Sequence, residues 1–128
     1  MPKRRRGWYR LAAERGHVDA QANLGYAYEQ GRGVTLDFAQ AAKWYRKAAE
    51  RGDVVAQANL GTLHANGLGV EQDDVQAHMW FNLAASRAEK RKIRRNLVRK
   101  RNRIAARMTP EQVTEAQRLA SEWRPPAP

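Results

Sequence analysis

Catalysis by side chains needs acids, bases, nucleophiles or metal ligands held close together, and this sequence offers few of them. Its histidines are His17, His64 and His78. None pairs with another at metal-ligand spacing on one helix face, and there is no cysteine to complete a set. The neighbouring carboxylates Asp73 and Asp74 stand at a helix start, where negative charge meets the free N–H groups of the first turn. They read as a dipole-compensating start, not as an acid–base dyad. Gly31-Arg32-Gly33 and Gly67-Leu68-Gly69 lack the lysine and the following helix of a phosphate loop. Thr109-Pro110-Glu111-Gln112 has the form of a helix cap. We therefore expect no catalytic residue, no metal site and no cofactor, and the chain reads as non-enzymatic.

The other chemistry on offer is charge. The net charge is +11 over 128 residues, but it is concentrated. Residues 3–6 carry four cations, and residues 87–107 carry eleven Lys and Arg against Glu89 alone. What remains is mildly acidic, so an acidic body bears two basic attachments. Eleven cations on about 30 Å of helix can track a phosphate backbone, with affinity falling steeply as salt rises. Arg91, Arg94, Arg95, Arg99 and Arg101 are the candidate polyanion contacts. No aromatic side chain interleaves them to stack on bases. Ile93, Leu97, Ile104 and Met108 form a thin apolar stripe through the same run, along which arginine stems can lie. A solvated amphipathic cap, a nucleic-acid contact and an anionic membrane surface are thus three readings of one segment.

These groups are positioned by a repeat. Residues 8–43 and 44–79 align with 21 identities over 36 positions. Trp8-Tyr9-Arg10 returns as Trp44-Tyr45-Arg46, and Ala20-Gln21-Ala22-Asn23-Leu24-Gly25 returns as Ala56-Gln57-Ala58-Asn59-Leu60-Gly61. Trp80-Phe81 and Ala84-Ala85 begin a third copy. A period of this size means stacked supersecondary units, none able to bury its apolar face alone. The spacing predicts a helix over Arg6–Arg15, stopped by Gly16 in left-handed geometry. Val18–Gln30 follows, with Ala20, Leu24, Ala27 and Tyr28 on one stripe. A helix from about Asp37 to Arg51 buries Ala41, Trp44, Tyr45, Ala48 and Ala49, with Asp37 and Gln40 as a capping pair. Val54–Asn66 and Asp73–Ser86 repeat this pair, with Asp73 and Gln76 as the next cap. The turns between them need positive φ at glycine. From Ala88 to Met108 there is neither Gly nor Pro, so one long basic helix is expected. Thr109 restarts a final helix, with Val113, Ala116, Ala120 and Trp123 inward.

The pattern over residues 42–53 (Ala-Lys-Trp-Tyr-Arg-Lys-Ala-Ala-Glu-Arg-Gly-Asp), then Ala56-Gln57, Leu60-Gly61, Gly67-Leu68-Gly69-Val70 and Asp73, resembles the Sel-one-like repeat (SLR), which is close to the tetratricopeptide repeat. The closing stretch, from His78-Met79-Trp80-Phe81 to Thr109-Pro110-Glu111-Gln112 and Trp123, resembles the end of short bacterial members. The resemblance implies an all-α fold: a right-handed α-solenoid of antiparallel helix pairs, with a concave face lined by the first helix of each pair. It implies work as an adaptor for other proteins and no shared catalytic centre. On that face, the positions not claimed by core stripes are Asp19, Asn23, Tyr26, Glu29 and Gln30 from one repeat, with Val55, Asn59, Thr62 and Asn66 from the next. Related solenoids hold peptide backbone with an asparagine at the place of Asn23 and Asn59, since a carboxamide both donates and accepts. A bridge to a neighbouring helix is the alternative role for these two.

We expect one domain: a partial repeat at 8–15, repeats at 16–51 and 52–86, a basic helix at 87–108, a capping helix at 109–124 and a tail at 125–128. The expected function is a scaffold binding a partner protein or peptide on its concave face. The alternative is a nucleic-acid or polyanion-binding module using residues 87–107. No run of about 18 apolar residues exists to span a membrane. Met1-Pro2-Lys3-Arg4-Arg5-Arg6 looks like the start of a signal peptide, but no apolar stretch follows. The default expectation is cytoplasmic, with a periplasmic or secreted setting open if the N-terminus is truncated. Trp8, Tyr9 and Ala12 belong to a helix whose own partner is missing. The expectation there is self-association, or membership of a longer array.

Overall fold

The computed structural model describes residues 3–125, with side chains from Gly7 onward. The cations of residues 3–6 therefore lie outside the described side chains, and residues 126–128 of the expected tail lie outside the described residues. Seven helices follow one another, with no strand among the described residues: α1 Lys3–Glu14, α2 Val18–Gln30, α3 Phe38–Glu50, α4 Val54–Asn66, α5 Asp74–Arg87, α6 Arg91–Ala105 and α7 Pro110–Glu122. Each of α1 to α6 packs on the next, except that α5 receives both α6 and α7.

The helices end where backbone chemistry ends them. Gly31 and Gly67 adopt left-handed geometry at φ 65° and close α2 and α4 through N–H bonds to the carbonyls of Ala27 and Leu63. Asp37 and Asp73 accept from the backbone N–H groups of Gln40 and Gln76 at 3.1 Å. Thr109 and Gln112 form a complete capping box at the start of α7. The predicted stripes are buried: Ala20, Leu24, Ala27 and Tyr28 on α2, with Ala56, Leu60 and Leu63 on α4. Trp44 and Tyr45 on α3 match Trp80 and Phe81 on α5.

Two devices set the spacing of the stack. A Cβ added at Gly25 would stand 2.7 Å from the Tyr45 ring, and one at Gly61 would stand 3.0 Å from the Phe81 ring. Each aromatic side chain of the second helix thus lies against bare backbone of the first. Between repeats, the Gln21 side chain donates to the Ala13 carbonyl and the Gln57 side chain to the Ala49 carbonyl, each at 3.1 Å. The third copy has Ile93 in the place of Gln21 and Gln57, and this side chain is 45% exposed.

The basic run departs from one continuous helix. The chain is extended at Ala88 (ψ 125°) and Lys90 (ψ 127°), so the helix expected over 87–108 is α6, which is shorter. Ala88 is buried beside Leu97 and Ile104, and this packing fixes the corner without Gly or Pro. The Arg94 guanidinium then donates to the Ala88 carbonyl at 2.7 Å. Leu97 and Ile104 form the buried stripe of α6 and Met108 is partly buried beside them, whereas Ile93 points to solvent.

Two glycine substitutions should move stability in opposite directions. Gly25→Ala drives a methyl into the fully buried Tyr45 ring, and should cost about 1–3 kcal/mol. Gly7→Ala adds a methyl to α1 in open space, and should stabilise by roughly 0.5–1 kcal/mol. Urea denaturation of the two variants beside wild type reads both signs.

Candidate functional site

The first helices α2 and α4 lie side by side, and their solvent-facing residues meet in an open depression of about 370 Å³. Asp19, Asn23 and Tyr26 line it from α2, with Asp53 at the start of α4 and Val55 and Asn59 on α4. Five of the nine positions expected from sequence therefore converge. Asn23 is exposed and carries no hydrogen bond among the described residues. Tyr26 is 44% exposed, with the Arg32 guanidinium 5.7 Å from its ring centre. Val55 is 63% exposed, an apolar side chain presented to solvent.

Asn59 is half-buried beside the Tyr45 hydroxyl. That hydroxyl is buried without a hydrogen bond of ordinary length. Burial pushes its phenol far above the usual tyrosine range, with the charge of Glu29 the next cause. Glu29 itself is half-buried and accepts from Gln30 at 3.3 Å. Glu29 and Gln30 thus lie beyond the depression.

Thr62 and Asn66 line a second cleft, of about 200 Å³, between α4 and α6. Phe81, Ala65 and Ile104 form its buried floor, and Lys100, Arg103 and Arg107 its opposite wall. The Thr62 hydroxyl donates to the Ala58 carbonyl. The row of first helices is thereby continued by α6, a part of the chain the repeat pattern did not assign to this face.

Eight of the eleven cations of 87–107 fall into two sets. Arg87 donates to the Gly52 carbonyl at 2.9 Å, and its guanidinium lies 5.7 Å from the centre of the Trp123 ring. Arg94 holds the Ala88 carbonyl, and Arg101 donates to Asn82 at 3.0 Å. Arg107 forks onto Asp74 and also reaches the Ala65 carbonyl at 2.8 Å. These four join elements of the fold. Arg91, Lys92, Arg95 and Arg99 surround Ile93 on the outer surface of α6 and have no partner among the described residues. Of the five arginines proposed for polyanions, Arg91, Arg95 and Arg99 share that outer surface, while Arg94 and Arg101 are hydrogen-bonded to the fold.

The histidines do not converge, and among the described residues no group of His, Cys, Asp and Glu could hold a metal. His17 is exposed, but His64 and His78 are buried. Burial pushes the His64 imidazole below its ordinary value of 6.5, and the neighbouring Arg46 guanidinium lowers it further. A backbone contact with Glu71 and the charge of Asp73 oppose this. Burial also lowers His78, with Arg101 as the second cause. Spacing on an apolar helix face carries the signal for both, since each falls next to a core residue of α4 or α5.

Both histidines stay neutral in the folded chain at a pH where they would protonate if unfolded. Their stabilisation is complete above about 6.5 and is lost as pH falls below that value toward the lower folded values. The melting temperature should fall between about pH 7.5 and pH 5. His64→Gln with His78→Gln should flatten that slope, as read from thermal melts over the range. In the basic segment, Arg101→Gln should cost about 1 kcal/mol by removing a side-chain hydrogen bond. Arg99→Gln should stay within about 0.5 kcal/mol, and chemical denaturation separates the two.

Comparison with known proteins places this geometry. The Sel1 repeat pattern matches residues 6–17, 18–53 and 54–88. A protective antigen of uropathogenic Escherichia coli, c5321, displays an SLR fold and is 40% identical to this chain. Its crystal structure superposes with a TM-score of 0.86 over 94% of this chain, which spans 25% of the antigen's length. The Sel1 repeat protein of Oxalobacter formigenes is 41% identical, with a TM-score of 0.66 over 72% of this chain and 68% of its own. No curated protein matches. The fold is therefore an all-helical solenoid of the SLR type. Families of this kind are scaffolds, generally protein–protein interaction modules without enzymatic activity. With its repeats matched in register over residues 6–88, the chain belongs to the Sel1 repeat family.

Proposed function

We propose that this chain is a small adaptor that holds a partner protein through an extended segment laid across α2, α4 and α6. The observation that carries this reading is the convergence of Asp19, Asn23, Tyr26, Val55 and Asn59, drawn from two repeats, on one depression. A face built for core packing would be apolar, whereas this one presents two carboxamides, a tyrosine and an exposed valine to solvent. Asn23 offers a free donor and acceptor to a peptide backbone, which carries one of each per residue, and Asn59, beside the Tyr45 hydroxyl, presents what that neighbour leaves. Tyr26 and Val55 offer apolar area at the rim, the mix that peptide grooves use for anchoring.

A second reading has its own observation. Arg91, Lys92, Arg95 and Arg99 are exposed on one surface of α6 without a carboxylate among the described residues. Such a surface attracts polyanions in a strongly salt-dependent way. Side chains able to stack on bases are missing from α6 itself, so this contact would follow charge and not sequence.

The two readings separate by mutation. Asn23→Ala with Asn59→Ala should abolish capture of a protein partner in pull-down and leave the salt-dependent retention on heparin unchanged. Arg91→Gln, Arg95→Gln and Arg99→Gln together should do the reverse. Because Arg94 and Arg101 hold the fold, they are left intact in this comparison. Partner capture that survives the asparagine double variant would sink the adaptor reading of this face.

A further inference from the structure

The cleft between α4 and α6 holds two cations without a counter-charge among the described residues. Lys100 and Arg103 line it, and neither has a hydrogen bond or ion pair among the described residues. Their neighbour Arg107 is already committed to Asp74 and the Ala65 carbonyl. Opposite them stands Asn66, exposed and also unbonded. The floor between is apolar, with Phe81 at 3% and Ile104 at 6% exposure. Like charges beside one another over an apolar floor are unfavourable until a counter-charge arrives. The floor offers an aliphatic neighbour of that charge a place out of water.

The depression between α2 and α4 has the opposite sign. Asp19 is exposed and unpaired among the described residues. Asp53 accepts from the Ala56 N–H while keeping its charge at the edge of the same depression. The face is therefore polarised, negative toward the beginnings of α2 and α4 and positive toward the ends of α4 and α6.

We propose that this groove selects a charge-polarised peptide segment of its partner. An acidic residue beside an aliphatic one enters the α4/α6 cleft, and a lysine or arginine of the same segment meets Asp19 and Asp53. This rests on the concave-face reading above and adds what the occupant is made of. Neighbouring helices lie roughly 10 Å apart, and the two pockets are offset by about two turns, roughly 10 Å, along the helices. The diagonal is about 14 Å, which an extended chain covers in about four residues at ~3.3 Å each. The two charges of the ligand should therefore stand about four residues apart.

The test is selection from a phage-displayed library of random peptides about seven residues long, enough to span about 20 Å. It is panned on the full chain and on three variants: Lys100→Glu/Arg103→Glu, Asp19→Lys and Asn23→Ala/Asn59→Ala. Wild type should enrich an acidic–aliphatic pair with a basic residue about four positions away. The Lys100→Glu/Arg103→Glu variant should lose the acidic preference, and Asp19→Lys should lose only the basic one. A synthetic copy of the enriched peptide should bind the first variant at least ~tenfold more weakly by fluorescence anisotropy near physiological salt. Thermal melts establish that each variant is folded, and Lys100→Ala/Arg103→Ala replaces the charge reversal if that one is not. Enriched peptides without charge preference, or insensitive to these charge variants yet lost in the asparagine variant, overturn the polarity and leave the groove. No enrichment, or enrichment untouched by the asparagine variant, overturns both. Displacement of the peptide by a labelled RNA oligonucleotide at the same salt would assign Lys100 and Arg103 to nucleic acid, and so overturn the proposal.

Discussion

The arrangement rests on aromatic rings seated where side chains are missing. Tyr45 lies against Gly25 and Phe81 against Gly61, so each helix pair closes to a distance at which a Cβ would displace the ring. Leu24, Leu60 and Leu63 can then be buried with rings of that size beside them, and the small residues Ala41, Ala48, Ala77 and Ala84 allow equal approach elsewhere. Close packing propagates such a spacing, because interiors at this density do not absorb an extra methyl without moving a neighbour. Between the pairs, hydrogen bonds from the Gln21 and Gln57 side chains reach the carbonyls of the preceding helix. The concave face is thus a consequence of core geometry.

Much of this could be read from the sequence. The 36-residue echo carried the helix pairs, and the stripes through Leu24, Tyr45 and Leu60 carried the core. The capping residues Asp37, Asp73 and Thr109 carried the starts. These are local signals, written within one or two helical turns. What escaped were contacts between elements distant in the chain. The corner at Ala88 has no glycine or proline, because a buried methyl and the reach of Arg94 hold it. The exposure of Ile93 escaped because an apolar stripe is a statement about one helix, while burial depends on what lies opposite. Convergence of Asp19, Asn23, Tyr26, Val55 and Asn59 followed from the repeat register. The addition of α6 to the same face did not, since its sequence no longer echoes the repeat.

The basic segment shows how composition conceals division of labour. Arg87, Arg94 and Arg101 recur every seven residues and turn toward carbonyl or carboxamide oxygens. An arginine fork suits that work, offering several donors on a stem that lies along apolar surface. The cations between them face solvent or the α4/α6 cleft. A residue count assigns all of them to one patch, whereas the hydrogen bonds separate fasteners from free charge. The +11 total therefore overstates what is available to a partner.

The amide that joins one repeat to the next is absent from the third copy, where Ile93 stands. Gln21 and Gln57 make interchangeable joints, each reaching the same carbonyl of the helix before it. A copy of residues 18–53 inserted at the boundary between Asp53 and Val54 would find the same joint on both sides. Beyond α5 no such joint occurs among the described residues: α6 and α7 are held to α5 by an arginine corner, an ion pair and a tryptophan. The seam between repeats thus tolerates duplication, because the inserted copy rebuilds the joint on each side. Duplication at that seam would lengthen the groove while leaving α6 and its cations beside α4 as they are.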